Sequence, residues 1–264
     1  MTLSSGSRVA SVDGLRGLLA ALVTVEHFPY LHAQTIFAVP SRLAVMIFFA
    51  MSGYVLTRAW DGDLPIFLVR RFVRLWPLYA LCLFVGGAAI HHAPPWTYYV
   101  WWRVPDDAGY IHGDPAAWSL FIEAWAMPLM PLVVWAGTGP TIRLILAMAA
   151  LTLAGLAEPR LLFGVLFLGG AFVAGIEWRN RLLESALPQW LGKVSYSLYL
   201  SHCLVLALAS RAFGPWGGVA AIPAMLVVAW IVWRVLEAPC VRLSQRIGRG
   251  PRPAPEAGRQ AAVA

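Results

Sequence analysis

Of the ionisable side chains inside strongly apolar stretches of this 264-residue sequence, Asp13, Arg16 and His27 in the first stretch and Glu123 far beyond it could do chemistry together. Arg16 and His27 are eleven positions apart, which on a helix places them within about 20° of one another. Asp13 falls on the same stripe, with Ala20 and Thr24 between. The helical rise sets His27 roughly 16 Å from Arg16 along the axis, so one face would join a charged end to an imidazole end. Glu123 closes the segment Trp118-Ser119-Leu120-Phe121-Ile122-Glu123 and is expected about one turn inside the membrane, at a depth near that of His27. A carboxylate beside an imidazole orients it and raises its basicity, as general-base chemistry requires. The same residues admit plainer roles. Asp13 and Arg16 could be interfacial helix-start charges, His27 a polar cap, and Glu123 a structural hydrogen bond between helices.

Other polar clusters are less informative. The stretch Phe67-Leu68-Val69-Arg70-Arg71-Phe72-Val73-Arg74-Leu75-Trp76-Pro77 reads as a loop with three arginines at a membrane entrance. Such a loop can be basic for topology alone, or can clamp phosphates with guanidinium forks. Ser195 and His202 are seven residues apart without an acidic partner on that segment, which argues against a Ser–His hydrolase; His202 is expected to hydrogen-bond within the bundle. Cys82, Cys203 and Cys240 have neither disulfide nor metal-type spacing. His91, His92 and His112 lack helix-spaced acidic partners, so no metal centre is expected. The aromatic run from Trp96 to Trp102 fits an interfacial belt better than a sugar platform. Gly169-Gly170 and Gly175 suggest close helix packing.

The elements that must position these residues follow from composition. The chain is 59% hydrophobic and 12% charged, with a mean hydropathy of +0.68. A soluble domain holds about a quarter charged residues, so the apolar excess needs a bilayer. The net charge of +7 is spread along the chain rather than gathered on one face, which speaks for membrane topology and against nucleic-acid binding. Eight apolar runs approach spanning length: residues 12–28, 42–58, 72–90, 118–136, 141–157, 161–177, 194–213 and 217–238. The fifth and sixth are short enough to be a re-entrant pair. The expected fold is therefore an all-α polytopic bundle of about eight spans over residues 8–245, with residues 246–264 a disordered basic tail. The first run carries Asp13 and Arg16 and lacks a small-residue exit, so it reads as a span rather than a cleaved signal. With eight spans, most arginines outside the apolar runs fall on the side of the termini, which the positive-inside rule makes cytoplasmic.

These segments, taken in order, resemble the acyltransferase 3 family of membrane acyltransferases. Ser11-Val12-Asp13-Gly14-Leu15-Arg16-Gly17-Leu18 followed by His27 is similar to its first signature, an Arg and a His with ten residues between. Phe48-Phe49-Ala50-Met51-Ser52-Gly53-Tyr54 resembles its FFxxSG segment. The Arg70-Arg71…Arg74…Pro77 stretch, Trp118-Ser119-Leu120…Glu123, and Ser195-Tyr196-Ser197-Leu198-Tyr199-Leu200-Ser201-His202 follow, and Glu237-Ala238-Pro239 resembles a closing E-x-P.

The resemblance implies transfer of an acyl group, acetyl above all, from cytoplasmic acyl-CoA to a hydroxyl of a carbohydrate or glycolipid acceptor. It implies acyl-CoA as a donor substrate rather than a permanently bound cofactor, and a multi-pass location in the inner (cytoplasmic) membrane among membrane lipid. By the same resemblance Arg70, Arg71, Arg74 and Arg16 would hold the donor's phosphates. His27 would be the general base or a transient acyl carrier, and Glu123 its partner. Asp13, Ser52, Trp118, Ser119, Tyr199 and His202 would support the site. The chain departs from the family in being short, in Met46 where an Asp or His is often found, and in Met127 where an aromatic usually stands. Intramembrane charges equally suit a transporter or flippase, although no repeat relates the two halves. A non-catalytic subunit of a polysaccharide export machine is a third class.

Overall fold

A computed structural model describes residues 9–27, 41–89, 96–101 and 116–248. Among them the regular elements are helices, with no strand, and the fold is all-α. In chain order they are α1 (Ala10–Glu26), α2 (Ser41–Ala59), α3 (Leu64–Ala89), the short α4 (Trp96–Tyr99), α5 (Trp118–Ala126), α6 (Met130–Gly137), α7 (Thr141–Gly155), α8 (Leu162–Phe172), α9 (Ala186–Phe213), α10 (Gly217–Val232) and α11 (Ala238–Arg246). A 3-10 turn, Met127–Leu129, joins α5 to α6, and a π-helical turn, Trp233–Glu237, joins α10 to α11. Four stretches are long and apolar enough to cross a bilayer: Leu64–Ala89, Trp118–Gly137, Ala186–Phe213 and Gly217–Arg246. Leu43–Ala59, Thr141–Gly155 and Pro159–Gly175 are apolar but shorter. The chain is a multi-pass membrane protein. His91, His92, His112, Trp102 and the tail after residue 248 lie outside the described residues.

One helix boundary changes the reading of the site. α3 begins at Leu64, not near residue 72, so Arg70, Arg71 and Arg74 are helical residues within a span rather than members of an inner loop. Pro77 sits inside α3. A proline removes one backbone donor, but a membrane helix tolerates the loss because neighbouring groups can satisfy the freed carbonyl. The buried positions of α3 are Phe67, Arg71, Leu75, Leu78, Cys82 and Gly86 along one stripe, recurring every three or four residues as a core-facing helix requires. Arg71 belongs to that stripe and is only 9% exposed. It is a core residue, and its charge is no guide to which side of the membrane a loop occupies.

Apolar lipid offers little drive for one helix to leave it for another, so association depends on close packing by small residues. α1 lies on α9 through Gly17, where a Cβ would overlap the backbone of Leu191 and Gly192. α2 lies on α8 through Gly170, where a Cβ would overlap the Ala50 carbonyl. Gly169, in contrast, faces open space. α9 is the most buried of the four long spans; Val194, Leu198, Val205 and Leu206 pack there with Ala221, Met225 and Ala229 of α10. The ends of the bundle are also internally consistent. Ser11 donates to Glu184 at 2.9 Å and Arg58 Nη1 to the Ala174 carbonyl at 2.8 Å. This gathers the start of α1, the end of α2 and the segment before α9 at one end. At the other, Arg211 Nη1 donates to the Ala89 carbonyl at 2.6 Å, joining the last turns of α9 and α3.

Candidate active site

A cavity of about 130 Å³ lies among α1, α2, α3, α5 and α9, and its polar lining comes from the motif segments. Arg16 enters from α1, Ser52 from α2, Arg71 and Arg74 from α3, Ser119 and Glu123 from α5, and Ser195, Tyr196 and Tyr199 from α9. Arg16 is held in three directions: Nη2 donates to Asp13 Oδ1 at 2.9 Å and to the Gly192 carbonyl at 3.3 Å, and Nε donates to Ser195 Oγ at 3.0 Å. The planar guanidinium fork suits such fixed, divergent donation. Asp13 thus supports the site by orienting Arg16.

Glu123 accepts a hydrogen bond from Ser52, and the cationic groups acting on it are Arg71, Arg74 and Arg16. Arg71 also lies 5.4 Å from the centroid of the Phe67 ring, in cation–π contact. Arg71 and Arg74, three residues apart on α3, share a face about 60° wide. Arg70 turns away from them. Its Nη1 pairs with Asp61 at 2.5 Å and its Nε donates to the Ile247 carbonyl at 2.9 Å. Of the four arginines expected to hold the donor, Arg16, Arg71 and Arg74 are brought together and Arg70 is not.

The expected His27–Glu123 pair does not form. His27, the residue that ends α1, is exposed and is not among the residues lining the cavity. Its Nδ1 lies 2.8 Å from the Val23 carbonyl. Its aromatic neighbour is His202, edge-on at 4.9 Å between centroids. The matched depth of His27 and Glu123 had assumed that the helix begun by Trp118 enters at the membrane surface. Hydropathy fixes neither tilt nor rotation, and in a low-dielectric interior a carboxylate is stabilised beside guanidinium groups. His202 is fully buried, with Nδ1 2.6 Å from the Tyr199 carbonyl. Because a carbonyl only accepts, both imidazoles carry their proton on Nδ1 and leave Nε2 as the basic nitrogen.

Tyr199 links the two regions. Its hydroxyl is 2.8 Å from Ser119 Oγ, its ring faces the cavity, and its ring centroid is 6.0 Å from that of His202. Trp118 packs 5.7 Å from Phe163 and 6.3 Å from Phe49. Phe49 lies in turn 5.8 Å from Phe167, and Phe48 5.8 Å from Tyr199. The paired phenylalanines therefore wedge α2 between α8 and α9, which aims Ser52 at Glu123.

The family model for an acyltransferase domain, Acyl_transf_3, matches residues 9–158, more than half of the chain. The chain belongs to the acyltransferase 3 family. This acyltransferase 3 protein is also 40% identical over 98 residues to "Protein 2 in picA locus" of Rhizobium radiobacter, a match covering 33% of the chain and 49% of the relative. The chain thus spans about half the length of the curated relative it matches. No solved structure matches it.

Glu237 is a functional candidate that the sequence did not single out. It lines the same cavity, is 7% exposed, and accepts a 2.6 Å hydrogen bond from Ser197. It reaches inward because it closes the π-helical turn, a local widening that re-aims side chains and is frequent at functional sites. Pro239 follows at the start of α11, where a missing N–H costs little. The only signal was the closing Glu-x-Pro motif. A second cavity, of about 560 Å³, opens between α5, α6, α7 and α8; Phe121, Trp125, Leu132 and Leu168 line it, with Glu158 and Arg160 at its rim.

Proposed function

We propose that this protein is an O-acyltransferase that moves a short acyl group, acetyl above all, from cytoplasmic acyl-CoA to a hydroxyl of a carbohydrate or glycolipid. One observation carries the reading. Three guanidinium groups and Glu123 converge on a small cavity in the bundle, and Tyr199 connects that cavity to His202, whose ring abuts that of His27. The arginines suit the anionic end of the donor, and the long flexible arm of coenzyme A would carry the thioester outward along α1. Arg16 and His27 are eleven residues apart, a rise of about 16 Å.

In this mechanism His27 Nε2 takes the proton of the acceptor hydroxyl as its oxygen attacks the thioester carbonyl. The tetrahedral intermediate then collapses, the C–S bond breaks, and the imidazolium returns a proton to the coenzyme A thiolate. An acyl-His27 intermediate reaches the same products in two steps. The apolar cavity beside α5 would seat the chain of a lipid-linked acceptor. Both termini would be cytoplasmic. That orientation rests on Arg179 and Arg181 between α8 and α9, with Arg58 and Arg143 at the ends of α2 and α7, since Arg70, Arg71 and Arg74 lie within α3.

The test is chemical. Purified protein in detergent or vesicles, given acetyl-CoA and a sugar acceptor, should release coenzyme A thiol only when the acceptor is present. Acceptor movement across vesicles without thiol release would instead identify a transporter and overturn the reading.

A further inference from the structure

The junction of α1 and α9 brings His27 to two adjacent residues, His202 and Cys203, that lie far from it in the sequence. A ring nitrogen of His27, a ring nitrogen of His202 and the sulfur of Cys203 all lie within 4.8 Å of one another. We infer that His27, His202 and Cys203 form a binding site for a zinc-class divalent cation. Each imidazole has its Nδ1 proton on a backbone carbonyl, that of Val23 or Tyr199, and so offers Nε2. Metal-ligating histidines are oriented and tuned by this kind of outer hydrogen bond. Cys203 Sγ already lies 3.2 Å from His202 Nε2.

Two imidazoles and a thiolate are a ligand set of the softness that selects zinc over magnesium or calcium. Three protein ligands leave the fourth tetrahedral position open, as in catalytic rather than structural zinc sites. With bonds of about 2.0–2.1 Å to nitrogen and 2.3 Å to sulfur, tetrahedral geometry puts the ligand atoms roughly 3.3–3.6 Å apart. The observed cluster spans this range and needs a contraction of about an ångström at its widest, within reach of the exposed His27 ring. The exposure of His27 also supplies the entry path, while buried His202 provides a fixed anchor. On binding, the Cys203 S–H bond breaks, its proton leaves to solvent, and a sulfur–metal bond forms. Affinity therefore rises with pH.

The cation would occupy the Nε2 lone pair of His27, which the proposed transfer uses to accept the acceptor's proton. Zinc and catalysis then exclude one another, a consequence that rests on the base role of His27. The metal is a reversible brake on transfer.

The experiment titrates Zn²⁺ alone into the purified full-length protein against a chromophoric chelator, and repeats the titration with Co²⁺. We expect one metal ion per chain and, with cobalt, a thiolate-to-metal charge-transfer band together with the visible bands of a tetrahedral ion. Cys203→Ser should lose that band and bind zinc about tenfold or more weakly, as should His27→Ala, whose exposed position makes misfolding a poor explanation. No stoichiometric zinc, or zinc held equally by wild type and both variants, overturns the site. Zinc bound as described that leaves acetyl transfer unchanged supports the metal site and refutes His27 as the base. Transfer that depends on His27 in a protein without zinc affinity refutes the site and leaves the acyltransferase reading standing.

Discussion

The arginine cavity and the histidine pair lie on the same two helices, α1 and α9, yet they solve opposite problems. The cavity concentrates charge: Arg16, Arg71 and Arg74 face Glu123 and Glu237, and each buried ion is tolerated because others offset it. The histidine pair, His27 and His202, is held without charge, by hydrogen bonds to backbone carbonyls and by ring contact, among the described residues. Fixed charges of one sign in excess suit the recognition of an anion, whereas tethered imidazoles suit proton transfer. The separation of about 16 Å along α1 gives a long substrate a different task at each end.

The largest expected effect comes from removing charge from the first region. Glu123→Gln keeps a group able to accept from Ser52 but leaves Arg71 beside two other arginines. Breaking one partner of a buried ionic cluster typically costs about 3–5 kcal/mol. Thermal melts in detergent should show this loss; a melt equal to wild type would mean that Glu123 does not offset the arginines.

A smaller effect separates two adjacent arginines. Arg71→Gln should weaken acetyl-CoA binding by about 1.5–3 kcal/mol for each charge-assisted hydrogen bond lost. Arg70→Gln breaks a partly exposed pair with Asp61, a class worth about 0–1 kcal/mol, and a hydrogen bond to the Ile247 carbonyl, neither of them in the cavity, and should leave donor affinity alone. Equal losses in isothermal titration would erase the distinction between the two side chains.

The smallest lies at the end of the bundle, outside the spans. Arg179, and then Ser11, hold the Glu184 carboxyl below its ordinary range. A depressed folded value stabilises above the unfolded one, ordinarily 4.5, and the contribution is lost as pH falls through the folded value. The melting temperature should therefore decline slightly more in wild type than in Glu184→Gln as pH drops below about 4.5. Parallel pH profiles would show that the cluster does not tie α1 to the segment before α9.

What the sequence made legible follows from the same contrast. The helices could be read because apolar length is a local property, and the motif residues of α1, α2, α5 and α9 do meet. Arg71 was misplaced because the apolar run begins near residue 72, whereas the helix itself begins at Leu64 and carries the arginines into the bundle. Glu237 was named only within the closing Glu-x-Pro motif, without a place in the site, because a π-helical turn leaves no hydropathy signal. The contact between His27 and His202 spans residues far apart in the chain, so it depends on the rotation of α1 against α9. The glycines at Gly17 and Gly192 set that rotation, and no periodicity encodes it.

The central claim is that the imidazole end performs the chemistry and the arginine end holds the donor. The most direct measurement compares acetyl transfer and acetyl-CoA affinity in His27→Ala, in protein shown to be folded by its melt. The account predicts a loss of transfer of about 10²–10⁴-fold with donor affinity unchanged. Near-normal transfer in His27→Ala, or a loss explained wholly by weaker donor binding, would contradict it.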